Sequence, residues 1–204
     1  MPRSDERQAR RSRIQLVLIF VLFLLPPAAA WVAWKMMGES GVSSTSNAGT
    51  LVAPARPLAV DGLRRADGSE FLDADLHGRW TYVVFADNDC EERCRQQLYL
   101  TRQIRLAMSK DIPRVQRLLV LARQPGPDVA QWLSGEHPDL HWVVRDARAQ
   151  ALLQPFRGDG FAPQGEQFFL VDPLGNLMMY YDPGVQASGV MKDLQKLLKI
   201  SQIG

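Results

Sequence analysis

Cys90 and Cys94 are the only two cysteines in the 204-residue chain, and they stand four residues apart in the run Asp87-Asn88-Asp89-Cys90-Glu91-Glu92-Arg93-Cys94. On a helix that spacing gives a Cα separation of about 6 Å, within reach of a disulfide. A bridge closing so short a loop removes only roughly 2 kcal/mol of chain entropy, and a helix already orders the segment. Stapling is therefore a weak reason to place both cysteines here. Redox or metal chemistry is a stronger one, because the unpaired N–H groups of a helix start stabilise a thiolate. Glu91 and Glu92 oppose that effect, whereas Arg93 and Arg95 support it. Cys90, nearest the helix start, is the expected attacking thiol and Cys94 the resolving one. A purely structural pair stays open at this point.

The elements around the cysteines follow from patterning. Residues 80–85 (WTYVVF) form a β-branched and aromatic run that reads as a buried strand. From Glu91 to Met108 the pattern turns helical, with Cys94, Leu98, Thr101, Ile104 and Met108 at three- and four-residue spacing. Strands are expected at 115–122 and 142–144, and helices at 127–134 and 147–156, the first opened by Pro127 and closed by Gly135. Residues 168–171 and 177–181 flank the turn Asp172-Pro173-Leu174-Gly175-Asn176 as a hairpin, and 185–200 closes the chain as an amphipathic helix. Upstream, 57–60 and the stretch around Asp67-Gly68 to Phe71 read as a short hairpin. This order predicts an α/β domain, a mixed sheet flanked by helices, of the kind found in thioredoxin-like folds.

The amino-terminal part has a different composition. Residues 1–13 carry five arginines against Asp5 and Glu6, and no charged side chain follows until Lys35. The uncharged stretch of 21 residues from Ile14 to Trp34 would span roughly 30 Å as a helix, the thickness of a bilayer core. Trp31 and Trp34 stand where an interfacial anchor belongs. The arginines place residues 1–13 in the cytoplasm, so the chain beyond the 14–35 anchor faces outward. Pro26-Pro27-Ala28-Ala29-Ala30 offers the alternative of a cleaved signal peptide. Residues 38–55, rich in Gly, Ser, Thr and Asn at their start, read as a flexible spacer, leaving 56–204 as the folded domain. A net charge of +2 gives no argument for nucleic acid or an acidic substrate.

A strand ending in Phe85, the C-x-x-x-C of Cys90 and Cys94 opening a helix, a late strand running into Asp172-Pro173-Leu174-Gly175, and the run Leu76-His77-Gly78-Arg79-Trp80 together resemble the Sco/SenC family. Its members are membrane-anchored, thioredoxin-like proteins that help assemble the copper site of cytochrome c oxidase. The resemblance implies a bacterial inner-membrane protein with a periplasmic domain. Its expected partner is a respiratory oxidase subunit or another assembly factor, and its chemistry is thiol–disulfide exchange through Cys90 and Cys94. It also makes both cysteines copper ligands. The family's prolines beside the cysteines are replaced here by Glu91 and Arg95. Its third ligand, a histidine, falls on Gln164, six residues before Leu170. An amide is a poor ligand for Cu(I), so copper binding is expected to be weak.

No other histidine is placed to substitute. His77 precedes the first central strand, and His137 and His141 lie at the start of another. All three belong at the sheet edge opposite the cysteines, as surface or loop residues. The loop before Phe168, with Pro163, Gln164 and Glu166, should reach the cysteine edge, and Pro163 is a candidate cis-proline. Met178 and Met179 read as strand residues, and the carboxylates show no paired spacing. A peroxidase would need a Thr/Ser and Arg arrangement around one cysteine that the sequence lacks. A membrane-tethered scaffold without redox chemistry is the alternative from a different functional class.

Overall fold

The structure, a computed structural model, describes residues 3–39, 47–163 and 165–201. Gln164 and residues 40–46 of the expected spacer lie outside the described residues. The chain divides into two compact units, Met1–Ser46 and Asn47–Gly204.

The described residues of the first unit form one helix, α1 (Arg3–Glu39), with Pro26 and Pro27 inside it. Within it Arg13–Ala33 is long and apolar enough to cross a membrane. Lys35 Nζ stands 5.6 Å from the centre of the Trp31 ring.

The second unit contains a seven-stranded sheet flanked by helices. The strands are β1 (Thr50–Pro57), β2 (Leu63–Arg65), β3 (Trp80–Ala86), β4 (Val115–Leu121), β5 (Leu140–Arg145), β6 (Phe168–Val171) and β7 (Asn176–Tyr181). Their order is β1-β7-β6-β3-β4-β5-β2. β3, β4 and β5 are parallel, whereas β6, β7, β1 and β2 join antiparallel. The helices are α2 (Glu92–Ala107), α3 (Pro127–Glu136), the short α4 (Gln150–Leu153) and α5 (Ala187–Ile200). A mixed sheet with helices on both faces is the thioredoxin-like arrangement expected from the element order.

Alternation along the strands gives the sheet two cores. Tyr82, Val84, Leu119 and Leu121 pack with Leu98, Ile104, Val190 and Leu194 from α2 and α5. Val83, Leu118 and Val120 pack on the other face with Phe156, Phe161 and Phe169. β4 is buried along its whole length, as the middle of a parallel set must be. One of its buried side chains is Arg117, which donates to both carboxylate oxygens of Asp139 at 2.8 and 3.1 Å and to the Leu98 carbonyl at 2.9 Å. That carbonyl is one helical turn beyond Cys94, so the ion pair pins the cysteine helix to the central strand.

Four local expectations need correction. The spacer does not extend to residue 55, because Thr50–Pro57 is the edge strand β1, paired with β7. Pro54 and Pro57 hid it from sequence; an edge strand with a register shift between Leu51 and Arg56 tolerates them. Residues 57–60 are not the partner of the Asp67-Gly68 turn. That turn follows β2 instead, with Arg65 N donating to Ser69 O at 2.9 Å and Phe71 N to Leu63 O at 3.0 Å. The helix expected over 147–156 is a 3-10 turn at Ala147–Ala149 followed by α4. Finally, helix α2 starts at Glu92, so Cys90 lies outside it.

Candidate redox site

Strand β3 ends at Ala86 and the chain crosses Asp87, Asn88 and Asp89 to reach Cys90, which adopts a left-handed backbone (φ 41°). Glu91 is extended and precedes the first turn of α2. Cys94 is the third residue of that helix. The two sulfurs are bonded at 2.02 Å, with the Cα atoms 5.1 Å apart. The separation expected for a helical pair is met in a different way: the turn at Cys90, rather than helical continuity, brings the residues together. Both cysteines are buried, Cys90 at 1% and Cys94 at 5% exposure. Exposure therefore does not single out Cys90 as the attacking sulfur.

Cys94 sits among the unbonded N–H groups of the first helical turn, where the helix end stabilises negative charge. The first intrahelical bond on this turn runs from Arg95 N to Glu91 O at 3.1 Å. A cavity of about 380 Å³ opens on the cysteines, with Phe85, Asp87, Asp89, Glu91 and Arg93 among its lining residues. Beside it, a cavity of about 320 Å³ is bounded by Phe85, Ala86, Arg93, Ala122, Arg145 and Pro163. Apart from Arg93 on α2, the residues of this second cavity come from the carboxyl ends of β3, β4 and β5 and from the loop before β6. The cysteines thus occupy the strand-end edge where α/β folds place their chemistry.

The local charges are largely arranged in pairs. Arg123 donates to both oxygens of Asp87 at 2.8 and 3.1 Å and holds that carboxyl below its ordinary range. Arg93 approaches Glu166 at 3.5 Å, and Gln97 Nε2 donates to the Glu166 carbonyl at 2.6 Å. These contacts fix the 165–167 segment against α2, so the loop before β6 reaches the cysteine edge as expected. Pro163 is there too, but the cis peptide among the described residues is Ala53–Pro54. Arg95 behaves differently: its Nε donates to the Cys90 carbonyl at 3.1 Å and its guanidinium lies 4.3 Å from the centre of the Trp132 ring on α3.

The three histidines stand at the opposite edge. His77 precedes β3 beside the β6–β7 turn, where a Cβ on Gly175 would meet its ring at 3.2 Å. His141 is the second residue of β5, and His137 caps α3 before that strand. The seven residues of β3 separate His77 from the cysteines by roughly 20 Å, whereas His137 is nearer, because Trp132 touches both its ring and Arg95. His137 differs from the expectation in one respect, being buried rather than superficial. Its ring meets Trp132 edge-on at 5.0 Å and its Nδ1 has no hydrogen-bond partner. Burial, with the charges of Arg117 and Arg102, lowers its pKa.

Copper would enter such a site as cargo, and the residues fit it poorly. Two thiolates suit Cu(I), but hard carboxylates line the cavity and no imidazole does. No group of three or more His, Cys, Asp or Glu among the described residues could hold a metal.

No curated protein matches the sequence. Among solved structures, apo Sco1 from Thermus thermophilus is similar at 23% identity and TM-score 0.55, over 77% of this chain and 99% of that one. Arabidopsis thaliana ScoI with copper bound is similar at 17% identity and TM-score 0.54, over 73% and 100%. BsSco, a Sco family cytochrome c oxidase assembly protein with an identified disulfide switch, is similar at 14% identity and TM-score 0.53, over 74% and 100%. These likenesses show the fold. Residues 80–201, which hold the cysteine pair and five of the seven strands, match the family described as transmembrane-like, thioredoxin-like, C-terminal domain, and the chain belongs to it.

Proposed function

We propose that this chain is a membrane-anchored thiol–disulfide exchange factor for the copper site of a cytochrome c oxidase, with its domain in the bacterial periplasm. The observation that carries the reading is the Cys90–Cys94 disulfide at the carboxyl end of β3, in a cleft of a fold similar to Sco1. In the reduced protein, the Cys90 thiolate attacks one sulfur of a partner disulfide. A mixed disulfide forms and the partner's other sulfur leaves as a thiolate. Cys94 then attacks Cys90 Sγ, which restores the intramolecular bond and releases the partner's second sulfur. Two electrons pass from this chain to the partner. Cys90 is assigned the attack because it lies in the loop before α2, which can open once the bond is broken, whereas Cys94 is held in the helix.

Weak copper retention, with Gln164 at the position where the resembling family has its histidine, fits exchange better than copper carriage. Deleting the protein should lower the copper content of the oxidase, and Cys90→Ser should reproduce the defect. Full complementation by both Cys90→Ser and Cys94→Ser would overturn the exchange mechanism. A second reading, a membrane-tethered scaffold for oxidase assembly, is favoured by the burial of both sulfurs, and it would survive that result.

A further inference from the structure

We propose that Arg95 is a positioning residue for the Cys90/Cys94 couple, clamping the oxidised form through the Cys90 carbonyl and passing the change of redox state to α3 through Trp132. The proposal rests on the thiol–disulfide reading and names the part of the site that sets its equilibrium.

Three observations meet at this side chain. Cys90 is one of two non-glycine residues with a left-handed backbone among the described residues, the other being Ser109. Such a conformation is sterically disfavoured for a residue with a Cβ and persists only when the surroundings hold it. The surroundings here are the bond to Cys94 and the hydrogen bond from Arg95 Nε to the Cys90 carbonyl at 3.1 Å. The Arg95 guanidinium also lies 4.3 Å from the centre of the Trp132 ring. Arg93 and Arg123 nearby spend their charge on Glu166 and Asp87, whereas Arg95 forms no ion pair among the described residues. Its partners are the carbonyl and the ring.

Reduction by a dithiol, or by two glutathione molecules, transfers two electrons and two protons to the Cys90 and Cys94 sulfurs and leaves the reductant as a disulfide. The covalent tie on Cys90 is then gone. Its backbone returns toward negative φ, and rotation of that peptide carries the carbonyl away from Arg95. Arg95 therefore interacts better with the oxidised form, and its loss shifts the equilibrium toward the dithiol. Loss of one charge-assisted hydrogen bond from the exposed Arg95 to the carbonyl of the buried Cys90 corresponds to a change of roughly tenfold in the equilibrium constant. Because the guanidinium is seated on Trp132, the same movement alters the environment of that indole.

The test uses the full-length protein in detergent, equilibrated against reduced and oxidised glutathione, with the two forms counted by alkylation and mass spectrometry. Arg95→Met should shift the equilibrium roughly tenfold toward the dithiol, and Trp132→Leu should shift it roughly threefold the same way. Arg102→Met, which removes the same charge from the same helix two turns on, should leave it within about twofold. In the wild type the near-ultraviolet dichroism of the indoles should change on reduction, and in Arg95→Met this change should be lost. If Arg95→Met is too unstable to handle, Trp132→Leu carries the test. A bond reduced equally in wild type and in the Arg95 and Trp132 variants would overturn the clamp alone. A shift with Arg102→Met as large as with Arg95→Met would overturn it too, leaving general electrostatics as the cause. A bond that glutathione reduces in none of the proteins would overturn the thiol–disulfide reading and the clamp with it.

Discussion

Arg117→Met removes a buried cation from the middle of β4, and the structure says how much that should cost. Arg117 is 1% exposed at its side chain and Asp139 is 24% exposed. Breaking a buried ion pair from one side costs about 3–5 kcal/mol when the surviving charge is stranded. Here the survivor is Asp139, which keeps Arg105 at 3.3 Å and some contact with water. The Leu98 carbonyl also keeps a donor in the Thr101 hydroxyl at 3.2 Å. Arg117→Met should therefore cost about 2–3 kcal/mol, below that range. Asp139→Asn strands the fully buried guanidinium instead and should cost more, about 3–5 kcal/mol. The double variant should recover most of the loss, since neither charge is left alone. Urea unfolding of the full chain, followed by near-ultraviolet dichroism, reads all three. A loss below about 0.5 kcal/mol for Arg117→Met, or a smaller loss for Asp139→Asn than for Arg117→Met, would refute the reasoning, because an interior pair cannot behave like a surface one.

Other perturbations test separate parts of the account. The lowered pKa of His137 means that the unfolded chain takes up its proton first as pH falls, so stability is lost below about pH 6.5. Asp139, where the Arg117 hydrogen bond and charge outweigh burial and hold the carboxyl low, adds a second loss below about pH 4. His137→Gln should flatten the stability curve just below about pH 6.5, where one proton contributes at most about 1.4 kcal/mol per pH unit; an unchanged slope in thermal melts would remove His137 as the cause. Asp193 is buried and accepts from Ala48 N at 2.8 Å and Gly49 N at 2.9 Å. Asp193→Ala should cost about 2 kcal/mol and speed amide exchange at the start of β1; unaltered exchange there would mean the contact does not anchor the strand. Gln164→His should tighten Cu(I) binding in the reduced protein, read by competition with a Cu(I) chelator and with Cys90→Ser as the control. Equal affinity would mean that residue 164 is not at the ligand position.

What could be read from sequence and what could not divides along contact range. Strand β3, the body of the cysteine helix and the 168–181 hairpin were legible because each carries its own pattern: a β-branched run, three- and four-residue spacing, and an Asp-Pro-Leu-Gly turn. The edge assignments of the cysteines and histidines followed from strand direction alone. The missed features depend on distant partners. β1 has no apolar alternation and contains two prolines, and only β7 makes it a strand. Arg117 follows Gln116 in the run expected as a strand, and its burial becomes intelligible only with Asp139 beside it. The left-handed turn at Cys90 has no glycine to announce it. Arg95, flanking Cys94 in the sequence, was read there as a charge favouring thiolate, and its contacts with the Cys90 carbonyl and Trp132 required the fold.

The central claim is that Cys90 and Cys94 cycle between dithiol and disulfide in service of an oxidase. Thiol trapping in intact cells measures this most directly: acid quenching, alkylation with a mass-shifting reagent, and detection of the full-length protein. Both redox forms should be present in cells that express the oxidase. The disulfide fraction should fall when the oxidase subunit that supplies the partner cysteines is deleted, because its disulfide is the electron acceptor. A pair that stays wholly oxidised, or wholly reduced, with and without that subunit would contradict the account.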